Sequence, residues 1–255
     1  MTKENYKILI VEDNAEYRTV AETAVRRVNR TAKMDGLPEF SVTYAPDFSS
    51  AIITLEKQKY DGVISDLFFP FGDSEGSARE HTSWIKTICE QIKPGIDEMR
   101  ASLDGCSDNF RESLEKMCDA ADRGYALLSG NMYEGEFPHG FGVANYCKDR
   151  NVPVVIVSQG ERHAGKLGYI RYALDSLPED SSLCNIESLL YKGVAPNTFG
   201  RRSKGLLDAR TLWDPTEQEN ETDKLKVQTW LDALAHTTSP LREILDKSWI
   251  GKHIV

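Results

Sequence analysis

The sequence predicts an α/β fold in which helices pack on both faces of a parallel sheet. Three hydrophobic runs carry this prediction, at 7–13, 60–66 and 152–158. Each run has the apolar composition of a strand that is buried on both faces, and each ends in polar residues. Strands and helices alternate over the first part of the chain, which favours parallel pairing with right-handed crossovers. We therefore expect a doubly wound parallel sheet.

The chain up to residue 70 supplies the first five elements of this sheet. Asn14 is placed to cap a helix directly after the first strand, and apolar residues then recur at helical spacing. Residues 40–44 alternate between apolar and polar side chains, as in a strand. A second helix opens at Pro46-Asp47, and the third strand covers 60–66. The order of these elements is β-α-β-α-β.

Residues 72–138 interrupt the alternation and predict a helical insertion. Apolar residues recur at helical spacing over 84–92, and we expect this helix to end near Pro94. A second apolar stripe covers 110–128, with a three-four spacing close to that of a coiled coil. Joined by Asp104-Gly105, the two stripes predict a hairpin of helices. The second stripe is expected to be core of the insertion, with a docking surface for a partner helix as the alternative.

The chain beyond the insertion returns to the alternating pattern and then becomes irregular. In order, the predicted elements are a helix over 143–148, a strand over 152–157, a helix over 167–174, a short final strand over 188–192, a polar segment over 195–222, a last helix over 223–236 and a short helix from Pro240. We expect a single domain over 1–255, with 72–138 inserted within it and 195–255 as an extended C-terminal segment with the final helices.

Composition and charge limit the classes of function. The 255 residues are 40% hydrophobic and 28% charged, which is typical of a globular protein with a sizeable core. The net charge of −9 argues against nucleic acid as a partner, because phosphate binding needs a concentrated basic surface. The short basic stretch at 201–204 is expected to be a solvated loop.

Cysteines and hydropathy bear on the compartment. The five cysteines are odd in number and form no CxxC pair, so buried free thiols in a reducing cytoplasm are expected. The N-terminus passes directly into the first strand, which leaves no room for a signal peptide. No apolar run approaches the length that crosses a bilayer. We expect a cytoplasmic protein that does not bind membranes.

Polar residues follow three of the predicted strands at their carboxyl ends, which share one edge of a parallel sheet. We therefore expect Glu12, Asp13, Asp66 and Ser158 to lie in one pocket. Clustered carboxylates are costly unless a cation neutralises them, and Mg²⁺ prefers such hard oxygen ligands. One carboxylate could also accept a phosphoryl group, with Ser158 and Lys192 available to contact it.

Three histidines are candidate functional groups. His81 lies in the predicted insertion and could in principle carry a phosphoryl group, but an exposed helical residue without a chemical role is the expectation. His139 and His163 lie near the predicted edge of the pocket and are expected to be loop residues rather than ligands.

The motifs at 8–14, 60–70 and 152–158 resemble the receiver domain of two-component response regulators. In that family an acidic pair follows the first strand, a phospho-accepting aspartate ends the third strand with proline four residues later, and a serine or threonine ends the fourth. The resemblance covers roughly 5–70 and 137–195. It implies a CheY-like, flavodoxin-like sheet of five parallel strands in the order 2-1-3-4-5.

The resemblance also assigns roles to individual residues. It implies phosphorylation by a histidine kinase or a phosphotransfer protein, with output through protein–protein contacts, in which the 72–138 hairpin could take part. The implied site consists of Glu12 and Asp13 as the acidic pair, Asp66 as the phospho-acceptor, Ser158 as the switch hydroxyl, Lys192 as the phosphate-contacting lysine and the backbone carbonyl of Phe68 as a further ligand of Mg²⁺.

Several positions depart from the family pattern. The insertion falls where receivers have a short loop, and Lys192 is followed by glycine instead of proline, so Lys166 is a competing choice. Gln159 stands where a small residue is typical, and Leu189 where an aromatic residue is typical. These departures favour one alternative, a pseudo-receiver that binds a partner without phosphorylation. A metal-dependent phosphohydrolase is a further alternative, although the second acid it would need is replaced by Phe68.

Overall fold

The computed structural model describes residues 5–34, 36–73, 77–148, 150–157, 160–161, 169, 173, 221–222 and 224–237. These residues form a mixed α/β fold with a parallel sheet of four strands. The strands are β1 (Asn5–Val11), β2 (Glu39–Ala45), β3 (Gly62–Ser65) and β4 (Val154–Ile156), in the order β2-β1-β3-β4. The predicted α/β class and parallel pairing are therefore confirmed. The predicted fifth strand, at 188–192, lies outside the described residues.

Helices pack on both faces of this sheet. In chain order they are α1 (Ala15–Met34), α2 (Phe48–Lys57), α3 (Ser77–Glu80), α4 (Ser83–Ala101), α5 (Asp108–Leu128), α6 (Gly140–Lys148) and α7 (Val227–Thr237). A 3₁₀ turn over Ser102–Gly105 joins α4 to α5. Two short strands, β5 (Gly160–Glu161) and β6 (Glu221–Thr222), form a separate antiparallel pair.

Alternate side chains of β1 enter two different cores, because successive residues of a strand point to opposite faces. Leu9 and Val11 pack with residues of α2, α4 and α6 on one face. Ile8 and Ile10 pack with residues of α1 and α7 on the other. All four side chains are at most 1% exposed. The apolar run at 7–13 predicted a strand buried on both faces, and β1 is buried on both faces.

Short polar motifs begin the first two helices. The Asn14 side chain accepts a hydrogen bond from the Glu16 backbone N–H at 2.8 Å, at the start of α1. Asp47 caps α2 by accepting from the Ser50 backbone N–H at 2.7 Å. Both caps satisfy N–H groups that a helix leaves unpaired in its first turn.

The predicted end of α4 near Pro94 is wrong, since the helix continues to Ala101 with Pro94 inside it. The apolar stripe explains why. Ile92 and Ile96 are fully buried on the inner face, and Pro94 is exposed on the outer one. The carbonyl that proline leaves without its helical hydrogen bond can therefore face water, which lowers the cost of the interruption.

The second stripe of the hairpin is buried along only part of its length. Cys118, Ala121 and Leu128 are at most 1% exposed, in the C-terminal half of α5. In the N-terminal half, Phe110 is 59% exposed and Met117 is 38% exposed. The expected core role therefore applies to the part of α5 that lies against the rest of the protein.

The other predicted elements differ from the structure mainly at their ends. The helix predicted over 143–148 begins at Gly140, the strand predicted over 152–157 is limited to Val154–Ile156, and the last helix covers Val227–Thr237 instead of 223–236. The predictions from 167 to 220 fall almost wholly outside the described residues, as does the helix from Pro240. Among the described helices, none combines the length and the apolarity needed to cross a membrane.

Candidate functional site

Strand register brings two distant carboxylates together at the carboxyl edge of the sheet. Val11 of β1 lies beside Ser65 of β3, so the residues that follow them are also neighbours. Those residues are Glu12 and Asp66, and the Asp66 backbone N–H donates to the Val11 carbonyl at 2.8 Å. Asp13 completes the group, in which oxygens of all three carboxylates lie within 4.8 Å of one another. Glu12 is fully buried and Asp66 is 8% exposed.

A buried lysine that the sequence interpretation missed provides the counter-charge. The Lys224 Nζ lies 2.6 Å from Glu12 Oε2 and 2.7 Å from Asp66 Oδ2, and its side chain is 1% exposed. The ammonium also lies 4.7 Å from the centre of the Tyr17 ring, within the range of a cation–π contact. From α7, the Trp230 indole N–H donates to the Lys224 carbonyl at 2.9 Å. The lysine is thus fixed at both its backbone and its charged end.

The loop between β1 and α1 is held by hydrogen bonds that aim its acidic side chains. The Arg18 Nη1 donates to the Glu12 carbonyl at 2.7 Å and to the Asp13 carbonyl at 2.9 Å. The Asn14 backbone N–H donates to Glu12 Oε1 at 3.2 Å. A guanidinium with two backbone acceptors holds its partners in a fixed geometry. We infer that Arg18 positions the acidic pair.

The chain that leaves the helical hairpin packs directly on the backbone of Asp66. The Gly140 N–H donates to the Leu67 carbonyl at 3.0 Å, and Phe69 and Phe137 form an antiparallel bridge. A Cβ atom at Gly140 would lie 2.3 Å from the Asp66 carbonyl oxygen, which is closer than real Cβ contacts. Only glycine permits this approach. The return from the insertion therefore helps to fix the carboxyl end of β3.

Burial and charge shift the proton affinities of the cluster. Burial and the neighbouring Asp66 charge raise the pKa of Glu12 to about 7, in spite of the opposing effect of Lys224. Burial also raises the pKa of Asp66, again against the effect of Lys224. Burial by itself lowers the pKa of Lys224, but the charges of Asp66 and Glu12 outweigh it and the pKa is raised. Lys224 is therefore an ammonium, and it supplies one positive charge to a cluster of three carboxyl groups.

The geometry of these three carboxyl groups makes the cluster suited to a divalent cation. Its ligand atoms are carboxylate oxygens, which are the hard donors that Mg²⁺ prefers. Glu12 Oε2 is already in contact with the ammonium of Lys224. Asp66 Oδ2 contacts the same ammonium, so Asp13 is the acid of the cluster whose described contacts do not include Lys224.

The described histidines lie outside this cluster. His139 is 2% exposed, and its ring packs among those of Phe48, Phe69, Phe71 and Phe137. Its Nε2 lies 3.0 Å from the Met132 carbonyl, and burial lowers its pKa to about 4, so the ring is neutral at pH 7. His81 lies 3.7 Å from a Glu56 carboxylate oxygen. His163 lies outside the described residues.

The other predicted site residues are distributed as follows. Phe68 is half-buried two residues after Asp66. Ser158, Lys192 and the competing Lys166 lie outside the described residues. Lys224 comes three residues before the start of α7, and it is not among the site residues predicted from the sequence.

Comparisons of the chain with protein-family models, curated proteins and solved structures found no match.

Proposed function

We propose that this protein is a phospho-accepting receiver of a two-component phosphorelay, with Asp66 as the acceptor. The main support is the buried ammonium of Lys224, which contacts both Glu12 and Asp66 at the carboxyl edge of the sheet. An acidic pair, an acceptor and a lysine in one pocket are the groups that this chemistry requires. The observed order β2-β1-β3-β4 supports the five-stranded order 2-1-3-4-5 that belongs to the proposal.

The proposed reaction transfers a phosphoryl group from a phosphohistidine of a histidine kinase or a phosphotransfer protein. A carboxylate oxygen of Asp66 attacks phosphorus, and the bond between phosphorus and the histidine nitrogen breaks. The nitrogen keeps the electron pair and takes up a proton. The product is an aspartyl phosphate, which is a known form of covalent catalysis by carboxylates.

Magnesium is part of the proposal as a resident ion. Asp13, Asp66 and the backbone carbonyl of Phe68 would hold it, while Glu12 faces Lys224. When bound, Mg²⁺ would offset the negative charge that gathers where a phosphoryl group approaches three carboxylates. Lys224 would contact the equatorial oxygens of that group, the role that the family resemblance gave to Lys192.

Signal output would occur through protein–protein contacts, with the α4–α5 hairpin as the candidate surface. Phe110 and Met117 expose large apolar side chains on α5, at positions seven residues apart on the same helix. Residues at this spacing lie on the same side of a helix, as in helices that bind partner grooves.

A pseudo-receiver that is never phosphorylated is the second candidate, and the engagement of Asp66 favours it. Asp66 Oδ2 contacts Lys224 at 2.7 Å, and Oδ1 accepts from the Leu67 backbone N–H at 2.6 Å. Both carboxylate oxygens therefore have a partner before any donor arrives. In this candidate the cluster is a structural ion pair and the protein binds its partner constitutively.

Treatment with acetyl phosphate and Mg²⁺, followed by Phos-tag electrophoresis, separates the two candidates. The receiver proposal expects a shifted band in the wild-type protein that disappears with EDTA or with Asp66→Ala. Asp104→Ala, which changes an exposed acid between α4 and α5, should give the same shifted band as the wild type. An unshifted wild-type band, or a shift that persists in Asp66→Ala, would contradict phosphorylation at Asp66.

A further inference from the structure

A cavity lies at the opposite end of the strands from the carboxylate cluster. It has a volume of about 580 Å³ and is lined by residues of 55–60, 146–147 and 150–152. Tyr60 precedes β3 and Val152 precedes β4, so the cavity is at the amino ends of these strands. Its volume falls within the range of small-molecule sites.

The charge of this lining is opposite to that of the protein as a whole. Lys57, Lys59 and Arg150 are cationic and Glu56 is the one acid among the lining residues, whereas the chain has a net charge of −9. Within the described part of the chain, no carboxylate forms an ion pair with any of the three cations. The Glu56 carboxylate lies 3.7 Å from His81 Nε2.

Helix ends explain part of this positive charge. The carboxyl ends of α2 and α6 meet at the cavity, and a cation near each would complement the helix dipole. One cation at each of the two helix ends would complement both dipoles, and the cavity has three. An anion between them would gain charge-assisted hydrogen bonds, which are stronger than neutral ones.

Arg150 is fixed in an orientation suited to binding. Its guanidinium carbon lies 3.6 Å from the centre of the Tyr146 ring, and its Nη1 donates to the Tyr146 carbonyl at 3.3 Å. The remaining guanidinium donors have no partner among the described residues. A guanidinium whose plane is already fixed loses less entropy when it binds a carboxylate or a phosphate.

The same cavity also offers apolar surface. Leu55, Cys147 and Val152 contribute to its lining. Tyr146 also lines it and is 2% exposed, and among the described residues its buried hydroxyl has no hydrogen-bond partner. The Tyr146 ring lies beneath the Arg150 guanidinium, so the apolar and the charged parts of the lining are adjacent.

We propose that this cavity binds a small organic anion with an apolar portion, held by Arg150, Lys57 and Lys59. The anionic group meets the three cations, and the apolar portion covers the floor formed by Leu55, Cys147 and Val152. This inference is independent of the proposed phosphorylation, because none of these residues belongs to the carboxylate cluster.

Titration of the isotope-labelled full-length protein with benzoate, followed by NMR of the backbone amides, tests the inference. Benzoate should shift the Lys59 and Asn151 amide resonances to saturation in the absence of Mg²⁺. Benzamide has the same shape without the charge and should bind at least about tenfold more weakly. The double variant Lys57→Gln/Lys59→Gln changes two exposed side chains and should also lower the affinity for benzoate about tenfold.

Two control variants keep the test specific. Lys116→Gln removes an exposed cation that pairs with Glu112 on α5, and it should leave benzoate binding unchanged. Asp66→Asn should also bind benzoate normally, even if phosphorylation fails. The inference is overturned by equal affinities for benzoate and benzamide, by an unchanged affinity in the double variant, or by the lack of a saturable shift in the wild type.

Discussion

Lys224 supplies one positive charge to two buried carboxylates, and we expect its loss to be among the most destabilising changes at the site. Lys224→Met would leave Glu12 and Asp66 buried without their counter-charge. Removing one partner of a buried ion pair costs about 3–5 kcal/mol. The free energy of unfolding, measured by urea titration at pH 8, should fall by about this amount, and by less at pH 5, where more of the Glu12 population is protonated.

Lys86→Met is the control, because it removes an exposed lysine of α4 that lies outside the cluster. Its free energy of unfolding should stay within about 0.5 kcal/mol of the wild type. Equal losses in the two variants, or a loss in Lys224→Met that does not depend on pH, would contradict the ion-pair role.

At the scale of single residues, some of the site could be predicted from sequence and some could not. Glu12 and Asp66 end apolar runs, and the register of parallel strands then brings the ends of such runs together. Lys224 follows four polar residues, at 220–223, that show no strand pattern. Its position depends on α7 packing against α1 beside the sheet, and residue pattern alone does not specify that contact.

At the scale of elements, the insertion is connected to the site at its return. The Phe69–Phe137 bridge and the Gly140 N–H join the chain after α5 to the loop after β3. A movement of the hairpin would therefore be transmitted to the backbone of Asp66. This connection gives the hairpin a physical means to respond to phosphorylation in the proposed receiver.

Gly140→Ala tests how closely these two segments are packed. The added methyl group would overlap the Asp66 carbonyl, so the backbone must shift, at a cost of about 1–3 kcal/mol in the free energy of unfolding. Urea titration measures this loss. Gly105→Ala is the control, because nothing lies within 4 Å of its added Cβ. Unchanged stability in Gly140→Ala would show that the contact is loose.

The hairpin also shows why the ends of an element are difficult to predict from sequence. Proline usually stops a helix, and on that rule α4 would end near Pro94. Burial of Ile92 and Ile96 on one face outweighs the local rule, because tertiary packing supplies most of the stability of a helix. The exposed half of α5 was equally unpredictable, since an apolar stripe does not reveal how far its packing surface extends.

At the scale of the whole molecule, the raised pKa of Glu12 links folding to pH. Its ordinary value is 4.5 and its value in the fold is about 7, so the folded state binds the extra proton between these values. The contribution of Glu12 to stability therefore decreases as pH rises through this window. The shift corresponds to a loss on the order of 3 kcal/mol.

Comparison with Glu12→Gln isolates this effect. His139 acts in the opposite direction, since its lowered pKa makes folding more favourable as pH rises from about 4 towards 6.5. Both proteins contain His139, so its effect cancels. The free energy of unfolding of the wild type, relative to Glu12→Gln, should fall between pH 4.5 and pH 8 in urea titrations, mostly below about pH 7. A constant difference would contradict the raised pKa of Glu12.

The sequence by itself determined the α/β class, the parallel pairing and the placement of Glu12, Asp13 and Asp66 at strand ends. It did so because apolar runs and their polar termini are local features with a fixed spacing. Tertiary structure decided that Lys224 is the buried counter-charge, that α4 passes through Pro94 and that Gly140 lies against Asp66. Each of these depends on contacts between segments that are distant along the chain. No local sequence pattern indicates the energy of such contacts.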